Sequence, residues 1–533
     1  MPTYPYLTQI VHSAARSRPD QPCLIYRGRM TTNAQFRDRV ARLAGALRRL
    51  GAQGDDRIAI IANNCDRFVE AFFGCFWAGA VACPVNVRWS QQELAYALSD
   101  CGASMLLIDD PFLPAAAGLR QQVPTLRTVI HLGDGATPEG MLPYEDLVAQ
   151  GPGVADAGRG GDDMAFVLYT GGTTGFPKGV MLSHANLLTA SAGMLAAGCG
   201  TGEVYLHAPP LFHIAGIQVM AGHFLGGLGP HVIIPAFSPA AILSAIQEHR
   251  VTDVMLVPTM LQMVLAHPDL PRYDLSSLQR IFYGAAPMTE PLLRAAMKAL
   301  PGTGFVQGYG MTETALTVML PPWFYTEEGQ KQGKITSIGR ALPLAEVAIR
   351  DSGGAEVPPG TVGELTVRSP SVMLGYFGKP SLTAATIRDG WLYTGDGGYL
   401  DPDGFIHLVD RIKDMIITGG ENVYSTEVEA ALAGHPAVAM CAVIGIPHES
   451  WGEQVHAVVV LKPGATAAAA ELIAHCRDQI AGYKCPRSID FRDALPMSAA
   501  GKILKTTLRA DYQGRGSVDP ALAEGPSLAE GPS

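Results

Sequence analysis

Charge is scarce in this chain. Asp, Glu, Lys and Arg make up 17% of its 533 residues, and the acidic ones prevail, giving a formal net charge of -10 at pH 7. No run of lysine or arginine breaks that balance, which excludes a surface made to grip nucleic-acid backbone or anionic lipid. Long apolar runs are missing too. The most apolar stretch, Ala71 to Pro84, is too short to span a bilayer and ends in proline, so no integral membrane segment is expected. The opening residues, MPTYPYLTQIVHSAARSRPD, lack the basic start and apolar centre of a signal peptide, and a soluble cytoplasmic protein is expected. The nine cysteines contain no C-x-x-C pair, which speaks against a disulfide framework or a zinc site and for buried thiols.

The common nucleotide and hydrolase fingerprints are absent as well. Lys178 follows Pro177 and precedes Gly179, so the glycine-rich stretch around it is no Walker A loop. No apolar strand runs into G-x-G-x-x-G, no G-x-S-x-G elbow occurs, and His448-Glu449 lacks the second histidine of a zincin. P-loop kinases, dinucleotide dehydrogenases, serine hydrolases of the elbow type and zincins therefore drop out.

What is present is alternation. Arg57–Ala62 is an apolar run, Arg67–Ala78 carries helical spacing, and Val81–Val85 is apolar again, which makes a βαβ unit. The pattern recurs at Met105–Asp109, at Asp253–Val257 with Met260–Ala266, and at Arg280–Tyr283 with Glu290–Leu300. Layered α/β architecture with mostly parallel sheets follows. Between about Ala345 and Asp410 helical periodicity fades and turn signals separate short strands, as in an antiparallel sheet or small barrel. After Arg411 a small α+β unit begins, with Thr426 and Glu429 as a capping box, strands near Val438–Ile444 and Val455–Leu461, and a helix near Ala469–Ile480. The hexapeptide LAEGPS, written twice from Leu522 to Ser533, predicts a disordered tail. The expected domains are 1–411, 412–513 and a tail over 514–533.

The stretch YTGGTTGFPKG, Tyr169–Gly179, follows the apolar run that starts at Met164. Its glycines free backbone N–H groups, its threonines add hydroxyls and Lys178 adds a charge, which suits a polyanion such as a nucleotide phosphate. This loop resembles the phosphate loop of the adenylate-forming (ANL) superfamily, the acyl-CoA synthetases and their relatives. The likeness recurs in order along most of the chain, in YGAAP (Tyr283–Pro287), QGYGMTET (Gln307–Thr314), GWLYTGD (Gly390–Asp396), DRIKDMIITGGENVY (Asp410–Tyr424) and GKILK (Gly501–Lys505). It implies a large N-terminal domain of layered α/β subdomains plus a small β-barrel-like subdomain, then a mobile small α+β C-terminal domain. It also implies a reaction in two halves. A carboxylate attacks the α-phosphate of MgATP to give an acyl-adenylate and pyrophosphate, and coenzyme A then displaces AMP.

The resemblance assigns the residues. Thr170, Gly171, Gly172, Thr173, Thr174 and Lys178 would cradle the β- and γ-phosphates. Gly284, Ala285 and Ala286 would let the nucleotide ring and the acyl chain pass close to the backbone, although alanine there also suits plain packing. In the stretch Gln307, Gly308, Tyr309 and Gly310, the tyrosine offers a flat ring for adenine. Thr312 supplies a phosphate hydroxyl and Glu313 a carboxylate, and Mg²⁺, which takes few protein ligands, would sit on Thr170 and Glu313. A helix start capped by Thr312 is the plainer reading of those two residues. Asp396 can accept two ribose hydroxyls, and Arg411 would reach the ribose or the adjacent phosphate. Lys502 would bridge the attacking carboxylate and the α-phosphate. Lys413 matches the hinge about which the small domain turns, and Gly419 and Gly420 would line the thiol channel. His213 stands where a gate between the ATP and acyl sites is placed, or else is a packed core histidine. Ile417 replaces a second lysine found in luciferase-like relatives, and Ile217 replaces a tryptophan gate.

No Asp, Glu, Lys or Arg occurs between Val204 and Gln247, where much of the acyl pocket of this family lies. A charged substrate group buried there would lack a counter-charge, so an uncharged fatty or aryl monocarboxylic acid is the expected substrate. Two other readings remain open: an adenylating enzyme that loads a carrier protein, and a non-catalytic nucleotide- or acyl-binding regulator. The spacing from Pro496 to Lys502 matches what lysine acetyltransferases recognise in such synthetases, so an acetyltransferase and a deacetylase acting at Lys502 are conceivable partners. A homodimer is an assembly the resemblance allows.

Overall fold

The computed structural model describes residues 4–170, 177–199, 202–227, 229–419, 421–497 and 503–512. The expected disordered tail lies outside them. The chain divides into two compact units, Met1–Thr394 with Gly398–Leu408 and Ala499–Gly501, and Gly395–Gly397 with Val409–Ser498 and Lys502–Ser533.

The first unit is layered α/β, as the alternation predicts. In an eight-stranded sheet, Arg57–Ile61 runs parallel to Val81–Pro84 on one side and Met105–Ile108 on the other. The crossover helix Asp66–Ala78 is buried along its whole length, as befits a helix apolar on nearly every face and held between layers. It stops at Gly79, whose φ of 85° is left-handed. In a nine-stranded sheet, Arg280–Gly284 lies between Asp253–Met255 and Gly304–Met311, again parallel. Antiparallel pairs stand at the edges: Met164–Thr170 with Lys178–Ser183 in the first sheet, and Gly304–Met311 with Ala315–Leu320 at one edge of the second and Pro22–Tyr26 with Arg29–Thr32 at its other. Of the free cysteines, eight are buried and Cys441 is half-buried.

Between 345 and 410 a five-stranded sheet forms, with Glu346–Arg350 antiparallel to Gly363–Arg368. Two features depart from expectation. A helix, Pro380–Thr386, interrupts the strands, and at seven residues it is too short for helical periodicity to show. The short strand Gly375–Tyr376 leaves this sheet and pairs with Lys178–Ser183 of the eight-stranded one.

The second unit is α+β. Val438–His448 and Gly452–Leu461 form a long antiparallel pair, and the helices Ser425–Ala433 and Ala469–Arg477 accompany it. The expected capping box at Thr426 and Glu429 is not formed. The helix begins two residues earlier, with Tyr424 at the N-cap, the Thr426 hydroxyl donates to the Val409 carbonyl, and Glu429 instead accepts the Val443 N–H at 2.8 Å and pairs with Lys505 at 2.7 Å. A tertiary ion pair has outcompeted the local cap.

Beneath the nine-stranded sheet three histidine rings touch in series. The His207 and His231 rings meet at 2.8 Å (Nε2 to Nδ1), and those of His223 and His231 at 3.3 Å (Nδ1 to Nε2), all buried. Burial holds His207 down to about 3 and His223 to about 4, and burial together with the two neighbouring rings holds His231 well below the usual range. Unfolded histidines titrate near 6.5. Below that pH the unfolded chain binds protons that the folded one refuses, so stability is lost as pH falls from about 6.5 towards 4. Each of these histidines should cost about 1 kcal/mol of unfolding free energy between pH 7 and 5.5. Urea unfolding at the two pH values will show this, and His223→Gln should flatten the difference by about one histidine's share.

Candidate active site

The glycine-rich stretch is flanked by two antiparallel strands. Thr170 ends one strand directly opposite Lys178, which begins the other. Gly171, Gly172, Thr173 and Thr174 lie outside the described residues. The Lys178 ammonium sits 4.7 Å from the centre of the Tyr376 ring.

The segment carrying Tyr376 grips two elements at once. Leu374 and Phe377 donate N–H bonds to Met181 (2.9 Å) and Gly179 (2.8 Å) of the Lys178 strand. On its other side Met373 donates to the Glu313 carbonyl at 2.8 Å, and the Tyr376 hydroxyl donates to Glu313 Oε1 at 2.9 Å. Glycine is required within it. Gly375 has φ of +141°, and a Cβ there would lie 2.8 Å from Thr383 Cγ2.

Glu313 itself lies in a hairpin turn, not at a helix start, which removes the plainer reading of Thr312 and Glu313. Strand Gly304–Met311 turns through Thr312, Glu313 and Thr314 into Ala315–Leu320. The Met311 N–H donates to the Thr314 hydroxyl at 3.1 Å, and the Thr314 N–H returns to the Met311 carbonyl at 3.1 Å. Both Thr312 (8% exposed) and Glu313 (5%) are buried. The turn tolerates no side chain at Gly310, where a Cβ would come within 1.8 Å of the Ala315 carbonyl.

The neighbouring strand ends at Gly284, in register with Gly308, and a Cβ on Gly284 would meet the Gly308 carbonyl at 2.2 Å. Ala285 follows with φ of 63°, a left-handed backbone rare for alanine. Tyr283 donates its hydroxyl to Gln307 Oε1 at 3.1 Å and meets the Tyr325 hydroxyl at 2.7 Å, so Gln307 is held by a buried phenol. Tyr309 packs half-buried against the cluster of Val318, Ile338 and Ile349. His213 occupies the N-cap position of the buried helix Ile214–Leu225.

In the second unit Asp396 and Arg411 pair at 2.6 Å, with the carboxylate buried and the guanidinium half-buried. Lys413 is exposed. Gly419, with φ of 60°, donates its N–H to the Trp451 carbonyl at 3.0 Å. Gly420 and Lys502 lie outside the described residues. The ends of the Lys502 loop are closed by a bridge between Met497 and Ile503 and by the Leu504 N–H on the Pro496 carbonyl at 2.8 Å.

Among the sequence-derived candidates, the structure gathers Thr170, Lys178, Gly284, Gln307, Gly308, Gly310, Thr312 and Glu313 on adjoining hairpins and strands of the first unit, and pairs Asp396 with Arg411 in the second. Tyr376 was missed. Its only signal is a Gly-Tyr pair in a segment without periodicity, and its partners lie 63 residues away in one case and further in the other.

A glycine-rich hairpin bearing Thr170 and Lys178, a buried carboxylate beside it, and a separate small α+β unit define the class of nucleotide-dependent adenylating ligases. The chain belongs to the AMP-binding enzyme family, whose model matches residues 11–377, while that of the AMP-binding enzyme C-terminal domain matches residues 427–502. It is 41% identical to a feruloyl-CoA synthase of Amycolatopsis sp over 93% of this chain and 97% of that protein. It is 35% identical to the fatty acid–[acyl-carrier-protein] ligase ScoC of Streptomyces coeruleorubidus over 95% and 96%. The ATP-bound crystal structure of MatB from Rhodopseudomonas palustris superposes with a TM-score of 0.86 at 31% identity, covering 96% of this chain and 99% of that one. The chain is thus an ATP-dependent, AMP-forming acyl-CoA ligase, with ATP and coenzyme A as cosubstrates. Among the described residues no helix is long and apolar enough to cross a membrane.

Gly310→Ala forces its methyl group into the Ala315 carbonyl and displaces the turn that carries Thr312 and Glu313. Adenylate formation, followed by pyrophosphate release, should fall about a hundredfold, as expected for a displacement near 1 Å.

Proposed function

We propose that this ligase activates an uncharged fatty or aryl monocarboxylic acid and transfers it to free coenzyme A. The observation that carries the reading is the 44-residue stretch Val204–Gln247 without one Asp, Glu, Lys or Arg, whose helix Ile214–Leu225 is buried along most of its length. A substrate ammonium or second carboxylate would be stranded there at a cost of several kcal/mol. The feruloyl-CoA synthase relative supports the aryl branch.

In this reading Thr170, Thr173, Thr174 and Lys178 hold the β- and γ-phosphates, with Gly171 and Gly172 admitting them to the backbone. The strand ends Gly284–Ala286 and Gln307–Gly310 present small residues and the Tyr309 ring to the base. Thr312 donates a hydroxyl to phosphate. Asp396 and Arg411 take the ribose, and His213 separates the ATP and acyl sites. Mg²⁺ fits Glu313 and Thr170: Tyr376 occupies only one Glu313 oxygen, Oε1, while Oε2 carries no partner among the described residues. When bound, the ion neutralises charge on the phosphates. Lys502 stabilises charge that develops as the substrate carboxylate attacks the α-phosphate. The small domain then turns about Lys413, and Gly419 and Gly420 line the path of the incoming thiol.

The test is a panel of carboxylic acids assayed for AMP release with coenzyme A. Aryl propenoic or fatty acids should support turnover, and amino acids and dicarboxylates should not. Turnover restricted to a charged acid would overturn the substrate class. Transfer only to a carrier protein, the acceptor named for the ScoC relative, would overturn the choice of acceptor.

Lys502→Ala should block adenylate formation yet leave thioester formation from a supplied acyl-adenylate largely intact. Equal loss in both half-reactions would remove Lys502 from its role. Acetylation of Lys502, which abolishes its charge, should reproduce that split. Mass spectrometry to locate the adduct, with both half-reactions assayed on the modified protein, decides whether a lysine acetyltransferase could regulate the enzyme.

A further inference from the structure

Tyr376 touches both Lys178 and Glu313, yet the reaction as described gives it no part. Its ring lies beneath the ammonium, 4.7 Å from ring centre to Nζ, and its hydroxyl donates to Glu313 Oε1 at 2.9 Å. We propose that Tyr376 is the positioning residue of the adenylation step: its hydroxyl fixes the Glu313 carboxylate for the metal ion while its ring face holds the Lys178 ammonium for the phosphates. The inference rests on the assignments of Glu313 and Lys178 made above.

Three observations carry it. First, the hydrogen bond is buried at both ends, with Tyr376 4% and Glu313 5% exposed. A carboxylate rotates freely about its last torsion and would present either oxygen. A phenol fixed on Oε1 leaves Oε2 as the oxygen to face a cation, which is how outer-sphere partners orient metal ligands.

Second, among the described residues the partner of Lys178 is a ring and not a carboxylate. A salt bridge would cancel the charge that the phosphates require. A π-face orients the ammonium while leaving its charge available.

Third, the tyrosine backbone is held on every side. Tyr376 stands opposite Val180 in the strand pairing, its N–H donates to the Thr383 hydroxyl at 2.9 Å, and the flanking Met373 and Phe377 are bonded to Glu313 and Gly179. The side chain therefore transmits a fixed spacing between the phosphate hairpin and the Glu313 turn.

The test is ATP binding by calorimetry on the full-length protein, once with excess Mg²⁺ and once with EDTA. The parent should bind MgATP more tightly than metal-free ATP. Tyr376→Phe removes one oxygen and keeps the ring, so it should weaken MgATP binding about tenfold and leave the metal-free Kd within about twofold. Tyr376→Leu, which also removes the ring face, should weaken metal-free ATP binding as well, by about fivefold. Glu313→Gln serves as reference. If it abolishes the metal enhancement while Tyr376→Phe keeps it at the parent level, the positioning role is overturned and the Glu313 assignment stands. If Glu313→Gln keeps the enhancement, the metal assignment fails and the inference with it. Equal loss by Tyr376→Phe with and without metal would show that the hydroxyl supports the fold at large, which also overturns the proposal.

Discussion

Five residues, Met373 to Phe377, tie two sheets of the first unit together by main-chain and side-chain hydrogen bonds. On one side they supply the antiparallel edge strand of the eight-stranded sheet; on the other they hold the Glu313 turn of the nine-stranded sheet by its carbonyl and its carboxylate. Met373, Gly375, Tyr376 and Glu313 are buried, so breaking the Tyr376–Glu313 bond leaves a desolvated polar group behind. Asn186 reinforces it from below, its amide donating to the Pro370 and Val372 carbonyls at 2.8 Å each. The glycine-rich hairpin and the acidic turn are otherwise separate pieces of chain, and their spacing depends on this tie.

Around that joint the site residues are set by steric exclusion as much as by attraction. Gly284 and Gly310 stand where a single methyl group would strike a carbonyl at 2.2 and 1.8 Å. Main chain there approaches main chain more closely than any side chain permits, which leaves a strand end and a turn with their backbone groups bare. Gln307, by contrast, is held through its side chain by Tyr283, itself braced on Tyr325. Small residues open the surface and buried phenols keep its polar groups in place.

The residues proposed for chemistry are divided between the two units. Lys178, Thr312 and Glu313 belong to the first, while Asp396, Arg411, Lys413 and Gly419 belong to the second, whose three-residue outlier Gly395–Gly397 lies within a strand that otherwise belongs to the first. Within the uncharged stretch Val204–Gln247, Gln218 donates to Ser191 at 2.9 Å and the histidines bond to one another.

What the sequence by itself determined was local and periodic. The strand Arg57–Ile61 and the helices Asp66–Ala78 and Glu290–Ala299 fall within a residue or so of their expected bounds, because burial on a sheet or between layers imposes a repeat that a short window can read. The glycines, threonines and lysine of Tyr169–Gly179 stood out as candidates by residue type, while Glu313 of QGYGMTET was singled out by the family resemblance. Tertiary structure decided the rest. It drew Glu429 away from a capping box and onto Lys505, sent Gly375–Tyr376 to a sheet other than that of its neighbours, and turned Thr312 and Glu313 into a hairpin instead of a helix start. It also brought the Tyr376 hydroxyl to Glu313 across 63 residues and Arg411 onto Asp396. Hydrogen bonds and ion pairs of this kind leave no period in the chain. Each is selected by which polar groups the packed sheets bury side by side, and that adjacency exists only once the sheets have packed.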